Sequence, residues 1–478
     1  MYVKSKIKSL QDTTRPKWFD WTFWGLVALM CAWFFCHGDL NITVWHGYDL
    51  ISAIKNGRFF SFYQDVLNKA LSGGYFSTPN VSFAANYNIL IYLVLAIWML
   101  PVKIICYLFH QVPSTLFLTM YCKQLILLAI LASGYLLSKI GTVIGLAKER
   151  CQWLAFLFMS GPILLFGSVL FGQIDIFSVF FTLLAFLFYL QKRYYWFSAI
   201  MSVAICFKAF PVFIFIPLIL LIEKRILHIL KFGIIGSSLL LFTQLLARFD
   251  PGYRATKSAL SDIYNFTDRI YKVKLPTAFE GTSALIFAFL LICLFCYVVQ
   301  PDDMRLSSWA ISISFLSYAV LFTFLSPWHP QWLILLCPFA ALSLSLVNNH
   351  KAAILMDCAM NLGYIVFVPI YFSNNVDFNM LNSGILPQLF HEKFLNHPIS
   401  VWFGNNANLI RSASNALFIA GLVSLVIYTA YDLIHGKKIE ERQTPPVMER
   451  GLIWIRMGIL LGFITVGLLW YSKQILSN

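Results

Sequence analysis

Four short stretches of this chain carry side chains that could do chemistry at the edge of a membrane. Asp39 stands just past the first long apolar segment, in His37-Gly38-Asp39-Leu40, with His46 and Asp49 a little further on. Gln173 and Asp175 lie in Phe171-Gly172-Gln173-Ile174-Asp175, and Lys208 lies in Cys206-Phe207-Lys208-Ala209-Phe210-Pro211. His329 and Gln331 lie in Ser326-Pro327-Trp328-His329-Pro330-Gln331-Trp332. A carboxylate at the mouth of a membrane helix suits a general base that takes the proton of an attacking hydroxyl. Fixed cationic N–H donors in a low-dielectric site stabilise charge growing on a departing phosphate.

A sugar on a lipid phosphate matches that set. Its phosphate leaves without a general acid, and attack from the opposite face inverts the anomeric centre. Asp39 is then the base. Lys208 and His329 hold the phosphate, and Lys123 joins them if its helix runs inward. Gln173, Asp175, Asp49 and Gln331 are left to orient sugar or acceptor. The chemistry requires neither metal nor cofactor, since the lipid-phosphate sugar is a substrate. Each position also has a plainer use. Asp49 suits the N-terminal charge of a helix, Asp175 suits a helix cap, and His46 suits a structural role.

The elements that must position these groups are membrane helices. The chain is 59% hydrophobic and 12% charged, with a mean hydropathy of +0.74. A bilayer span needs about 20 apolar residues, and such windows recur from Trp18–Cys36 to Gly451–Trp470. These features predict an all-α polytopic membrane protein of about 12–13 spans. A β-barrel would alternate over about ten residues per strand instead. The net charge of +14 is scattered among loops, which reads as topology and not as a nucleic-acid surface. All ten cysteines lie within or beside apolar segments, so a disulfide framework is not expected. Cys293 and Cys296 read as packing residues.

Lys4, Lys6, Lys8, Arg15 and Lys17 place the N-terminus in the cytoplasm. Residues 37–86 then lie outside, with an interfacial helix expected after Asp49 from Leu50, Ile51 and Ile54. Lys148/Arg150, Lys192/Arg193, Lys224/Arg225 and Lys437/Lys438 mark returns to the cytoplasm. On this topology Asp39, the Gln173–Asp175 turn, Lys208 and His329 all face outward. Tyr87–Phe109 is read as re-entrant or interfacial, because a full crossing there would leave Lys148 and Arg150 outside. Tyr195–Ile222, with Lys208 and Pro211 at its centre, is read as two short broken helices. Residues 1–345 form the catalytic module, and 346–478 add further helices with an outer loop at 373–411. The basic loop 249–280 is read as solvated, with a possible role over an anionic acceptor. Asp357 is read as an ion-paired or packing residue, and Asp302 and Asp303 as a solvated inner loop.

Taken together these motifs resemble the GT-C superfamily of integral-membrane glycosyltransferases, in the branch that uses polyprenyl- or dolichyl-phosphate sugars. Gly38-Asp39-Leu40 occupies the place of that superfamily's catalytic acid on the first outer loop. Gly172-Gln173-Ile174-Asp175, Lys208-Ala209-Phe210-Pro211 and His329-Pro330-Gln331-Trp332 are similar to turns that recur there, in the same order. The resemblance covers about residues 20–345, as short motifs and not as a continuous match. It implies a lipid-phosphate sugar donor and a glycan or glycolipid acceptor at the outer face of a membrane. The Phe- and Lys-rich chain with plain loops suggests a bacterial inner membrane. The first loop lacks a tight pair of acids, which disfavours the metal-dependent oligosaccharyltransferase-like branch. Two other readings stand beside this one: a lipid-glycan ligase or polymerase with a diphosphate donor, and a transporter or flippase without bond chemistry.

Overall fold

A computed structural model of the chain describes residues 12–261, 265–277, 281–303, 305–372, 379–390, 400–435 and 448–477. The basic N-terminal cluster Lys4–Lys8, the pair Lys437/Lys438 and residues 373–378 and 391–399 of the expected outer loop 373–411 lie outside the described residues. Nearly everything else is helix. In chain order the helices are α1 (Trp18–Phe34), α2 (Gly38–Lys55), α3 (Phe62–Leu71), α4 (Ile89–Leu108) and α5 (Thr115–Val143). There follow α6 (Lys148–Met159), α7 (Pro162–Leu170), α8 (Ile176–Leu190), α9 (Tyr194–Phe207), α10 (Val212–Ile222) and α11 (Ile226–Arg248). The remainder are α12 (Pro251–Ala259), α13 (Phe266–Tyr271), α14 (Ala284–Val298), α15 (Leu306–Phe324), α16 (Pro330–Leu346), α17 (His350–Tyr371), α18 (Ala407–His435) and α19 (Arg450–Ser477). Strand pairing among the described residues is confined to two two-residue ladders, Asp12–Thr13 with Met448–Glu449 and Lys274–Leu275 with Thr282–Ser283.

Seven described helices are long and apolar enough to cross a membrane, or nine if two bent pairs each count as one span. That is fewer than the 12–13 expected. The difference arises because several apolar segments break into pieces shorter than a bilayer: five further apolar helices have only 10–17 residues. The outer surface fits an integral membrane protein. α11, for example, presents Leu227, Leu230, Ile234, Leu241 and Leu245 with more than half of each exposed, a pattern that water would not tolerate over such a length.

The breaks place the chemistry. α1 and α2 meet at 77° across Phe35–His37. His37 caps α2, its Nδ1 accepting the Asp39 backbone N–H at 3.2 Å. Asp39 therefore sits in the first turn of α2, where the helix dipole favours a carboxylate. This helix starts at Gly38, earlier than the sequence pattern suggests, so Asp49 lies well inside it and not at its N-terminus. α6 and α7 bend by 45°, and the second part of α7, Leu165–Leu170, is a π-helix. Such wide turns recur beside functional sites. α9 ends at Lys208 in extended backbone and α10 resumes after Pro211, so the broken pair expected over Tyr195–Ile222 is present.

Tyr87–Phe109 is not re-entrant, because α4 is one unbroken helix. It runs beside α2 in the same sense, from the His46–Tyr92 ring contact to Lys55 over the Tyr107 ring. Deep ion pairs tie the C-terminal helices to the rest. Asp20 of α1 is fully buried and meets Arg450 at 3.3 Å and the Trp454 indole N–H at 2.9 Å. Asp357 of α17 pairs with Arg456 of α19, as an ion-paired residue should. Asp303 pairs with Lys192 at the solvent. All ten cysteines are unpaired.

Candidate functional site

The π-helical end of α7 turns sharply through Gly172, whose φ of +75° suits glycine. A Cβ there would also approach Leu40 Cδ2 to 2.5 Å, so the turn packs directly against the start of α2. This seating brings Gln173 and Asp175 to two different partners. Gln173 Nε2 donates to Asp39 Oδ2 at 3.0 Å. Asp175, only 2% exposed, forms an ion pair with Lys208 Nζ at 3.1 Å. Asp175 occupies the cap position of α8 but makes no side-chain capping bond.

Asp39 and Lys208 open onto a cavity of about 690 Å³, lined among others by His37, Phe171, Lys257, His329, Gln331 and Trp332, while Gln173 and Asp175 stand behind them, buried. Asp39, Lys208, His329 and Gln331, from three remote stretches, thus share one chamber, with Gln173 and Asp175 bonded to its lining residues. Trp332 forms a wall on which cations gather: Lys208 Nζ lies 5.2 Å and the Arg269 guanidinium 5.4 Å from its ring, within cation–π range. Arg269 also donates to the Pro327 carbonyl at 3.1 Å. Gln331 is 6% exposed, and among the described residues its Oε1 has no hydrogen-bond partner. A buried amide oxygen beside a cavity is suited to a ligand hydroxyl.

His329 differs from the cationic donor expected of it. Burial, with Arg269 and Lys208 close by, pushes its pKa down to about 4. The ring is therefore neutral at pH 7 and offers one N–H, not a full charge. The cation arises only as pH falls through about 4, so no His329 ionisation belongs to the range between about pH 5 and 8. If the site transfers a sugar from a lipid phosphate, His329→Gln, which keeps an N–H donor, should lower that transfer by less than about tenfold. The pH–rate profile of this variant in proteoliposomes should keep the wild-type shape; loss of a limb near the ordinary histidine pKa would contradict the neutral ring.

Two expected site residues lie elsewhere. Asp49 is held by Lys69 at 2.9 Å and by the Tyr75 hydroxyl at 2.7 Å, which tethers α3 and the loop after it to α2. Lys123 is fully buried under the turn, and its Nζ donates to backbone carbonyls of Phe35, Cys31 and Leu170. It caps the C-terminal carbonyls of α1 and α7 and does not line the cavity. Lys224 does the same at α10 and α14, donating to Cys296 and Val299 carbonyls at 2.6 and 2.9 Å. Lys123→Met should therefore act on stability. Stranding these carbonyls costs about 1–3 kcal/mol, read as a lower thermal midpoint with donor affinity unchanged.

One lining residue, His37, escaped the sequence reading, and another, Lys257, was placed there only as part of a loop read chiefly as solvated. His37 stacks on Phe171 at 4.2 Å and lies 3.6 Å from the Asp39 carboxylate. Its adjacency to Asp39 was the available signal. Lys257 reaches the cavity because α12 docks on the start of α3. Asp250 Oδ2 accepts the Tyr63 N–H and Oδ1 accepts the Gly252 N–H, each at 2.9 Å, so one carboxylate joins two helix starts. The basic loop 249–280 thus contributes Lys257 to the chamber and Arg269 to its tryptophan wall. Comparison with protein families, curated proteins and solved structures finds no match to this chain. What the site does is argued from its own residues.

Proposed function

We propose that the chain is a membrane glycosyltransferase that moves a hexose from a polyprenyl-phosphate donor to a cell-envelope glycan or lipid-linked acceptor at the extracytoplasmic side of a bacterial inner membrane. The observation that carries the reading is the pairing of an open carboxylate with cationic and N–H donors in one chamber. Asp39 has 47% of its side chain exposed, and Lys208 and His329 line the same cavity.

In this reading Asp39 accepts the proton of the acceptor hydroxyl as its oxygen attacks the anomeric carbon. The bond from that carbon to the phosphate oxygen breaks, and the electron pair leaves with the lipid phosphate. Lys208 and the His329 N–H receive that growing charge. Gln173 steers Asp39 through its hydrogen bond, and Gln331 takes a sugar hydroxyl. One new bond replaces one old bond with inversion.

The test is a donor screen. Purified protein in liposomes receives defined polyprenyl-phosphate and polyprenyl-diphosphate hexoses with an acceptor extract, and products are read by mass spectrometry. Donor-dependent addition of a hexose is the expected result, and its absence with every donor overturns the reading. Lys257 and Arg269 around the chamber favour one second reading, a diphosphate donor. A ligase would show transfer only from the diphosphate members of the same screen.

A further inference from the structure

A second cavity of about 630 Å³ adjoins the first, and Phe372 lines both. One wall is aromatic, from Trp328, Tyr371 and Phe372. The facing wall belongs to α18 and carries Asn408, Arg411, Ser412 and Asn415. Their spacing is i, i+3, i+4, i+7, which is one helical face. On a long apolar helix that face is ordinarily the hydrophobic stripe that packs. Here its first turns are polar and look onto an open chamber, and the apolar Ile419 follows on the same face. The Arg411 guanidinium carbon lies 5.8 Å from the Tyr371 ring, and among the described residues no carboxylate pairs with it.

We infer that this second cavity binds an acidic saccharide, one bearing a carboxylate or phosphate group. Aromatic rings on one side offer flat apolar faces to the C–H surface of a sugar ring. Amides and a hydroxyl on the other side match ring hydroxyls, which present donors and acceptors together. The planar guanidinium of Arg411 matches the anionic group bidentately. The Ser326–Trp328 stretch of this cavity runs straight into His329 of the first, so a saccharide seated here directs one end toward Asp39. Naming the occupant as the acceptor rests on the transferase reading above; the saccharide site does not.

Binding to the full chain in lipid nanodiscs tests this without any donor, so a failed donor screen leaves the result intact. The probes are a glucuronyl-glucose disaccharide, glucose 6-phosphate and the neutral disaccharide cellobiose. At least one anionic probe should bind about tenfold or more tightly than cellobiose, as one charge-assisted pair provides. Whether the carboxylate or the phosphate probe binds tells which anion the site prefers. Arg411→Gln should erase that preference while cellobiose binding persists, and Asp39→Asn should keep it. Asn408→Leu with Asn415→Leu should weaken all bound probes alike. Equal binding of charged and neutral probes, a preference that survives Arg411→Gln, or displacement of the saccharide by farnesyl phosphate would overturn the inference.

Discussion

Replacing Asp39 by Asn is expected to lower hexose transfer by about 10²–10⁴, the usual contribution of a positioned general base, with donor affinity essentially unchanged. The substitution is nearly isosteric, and the site tolerates it. Gln173 holds Asp39 through a single amide–carboxylate hydrogen bond at 3.0 Å, and two facing amides can keep such a bond by turning one of them over. The side chain is open to the cavity, so no buried charge is stranded. What disappears is the ability to receive a proton. Single-turnover transfer and donor binding, measured on the same proteoliposomes, separate the two effects. Turnover within about tenfold of wild type would remove Asp39 as the base.

The second large effect concerns Lys208, and here a single substitution misleads. Lys208→Met leaves the Asp175 carboxylate, 2% exposed, without its counter-charge. Breaking a buried pair from one side costs about 3–5 kcal/mol, so this variant tests folding more than chemistry. The double variant Lys208→Met with Asp175→Asn removes the orphaned charge together with the cation. We expect it to regain most of the thermal midpoint lost in the single variant. Transfer should still fall by about 10²–10³, the loss seen when one preorganised donor to a developing anion is removed, and donor affinity should fall with it. A double variant that folds and turns over normally would make Lys208 merely the partner of Asp175.

How much of this was legible in the residues depends on the physics behind each one. Asp39, Gln173, Asp175, Lys208, His329 and Gln331 could be found because a polar group between apolar segments is costly and therefore stands out. The broken helix at Lys208–Pro211 was legible for the same reason, proline being unable to continue the ladder. Lys123 was misassigned because a lysine that caps carbonyls and a lysine that binds phosphate look alike in a string of letters. Only the positions of Phe35, Cys31 and Leu170 around it decide. Asp49 was misplaced because the start of α2 is set by His37, a cap weaker in pattern than the acid that follows. Lys257 was legible only as one of five basic residues of a loop read as solvated. Its approach to the cavity depends on the docking of α12 through Asp250 on residues nearly two hundred positions away. The number of crossings was overcounted where apolar composition continues through a bend, as at Met159–Pro162.

The five residues from Phe171 to Asp175 have a consequence of their own. One short wedge, packed between Leu40 and Lys123, holds Asp39, the proposed proton acceptor, through its third residue and Lys208, the proposed phosphate ligand, through its fifth. The interval between the incoming and outgoing oxygens is thereby gauged by a single rigid piece. Altered sugar preference would have to evolve at the rim, through residues such as Lys257 or Trp332, while this spacer stays untouched. If the proposed transfer holds, a swap of rim residues should therefore change what is carried without resetting how it is passed on.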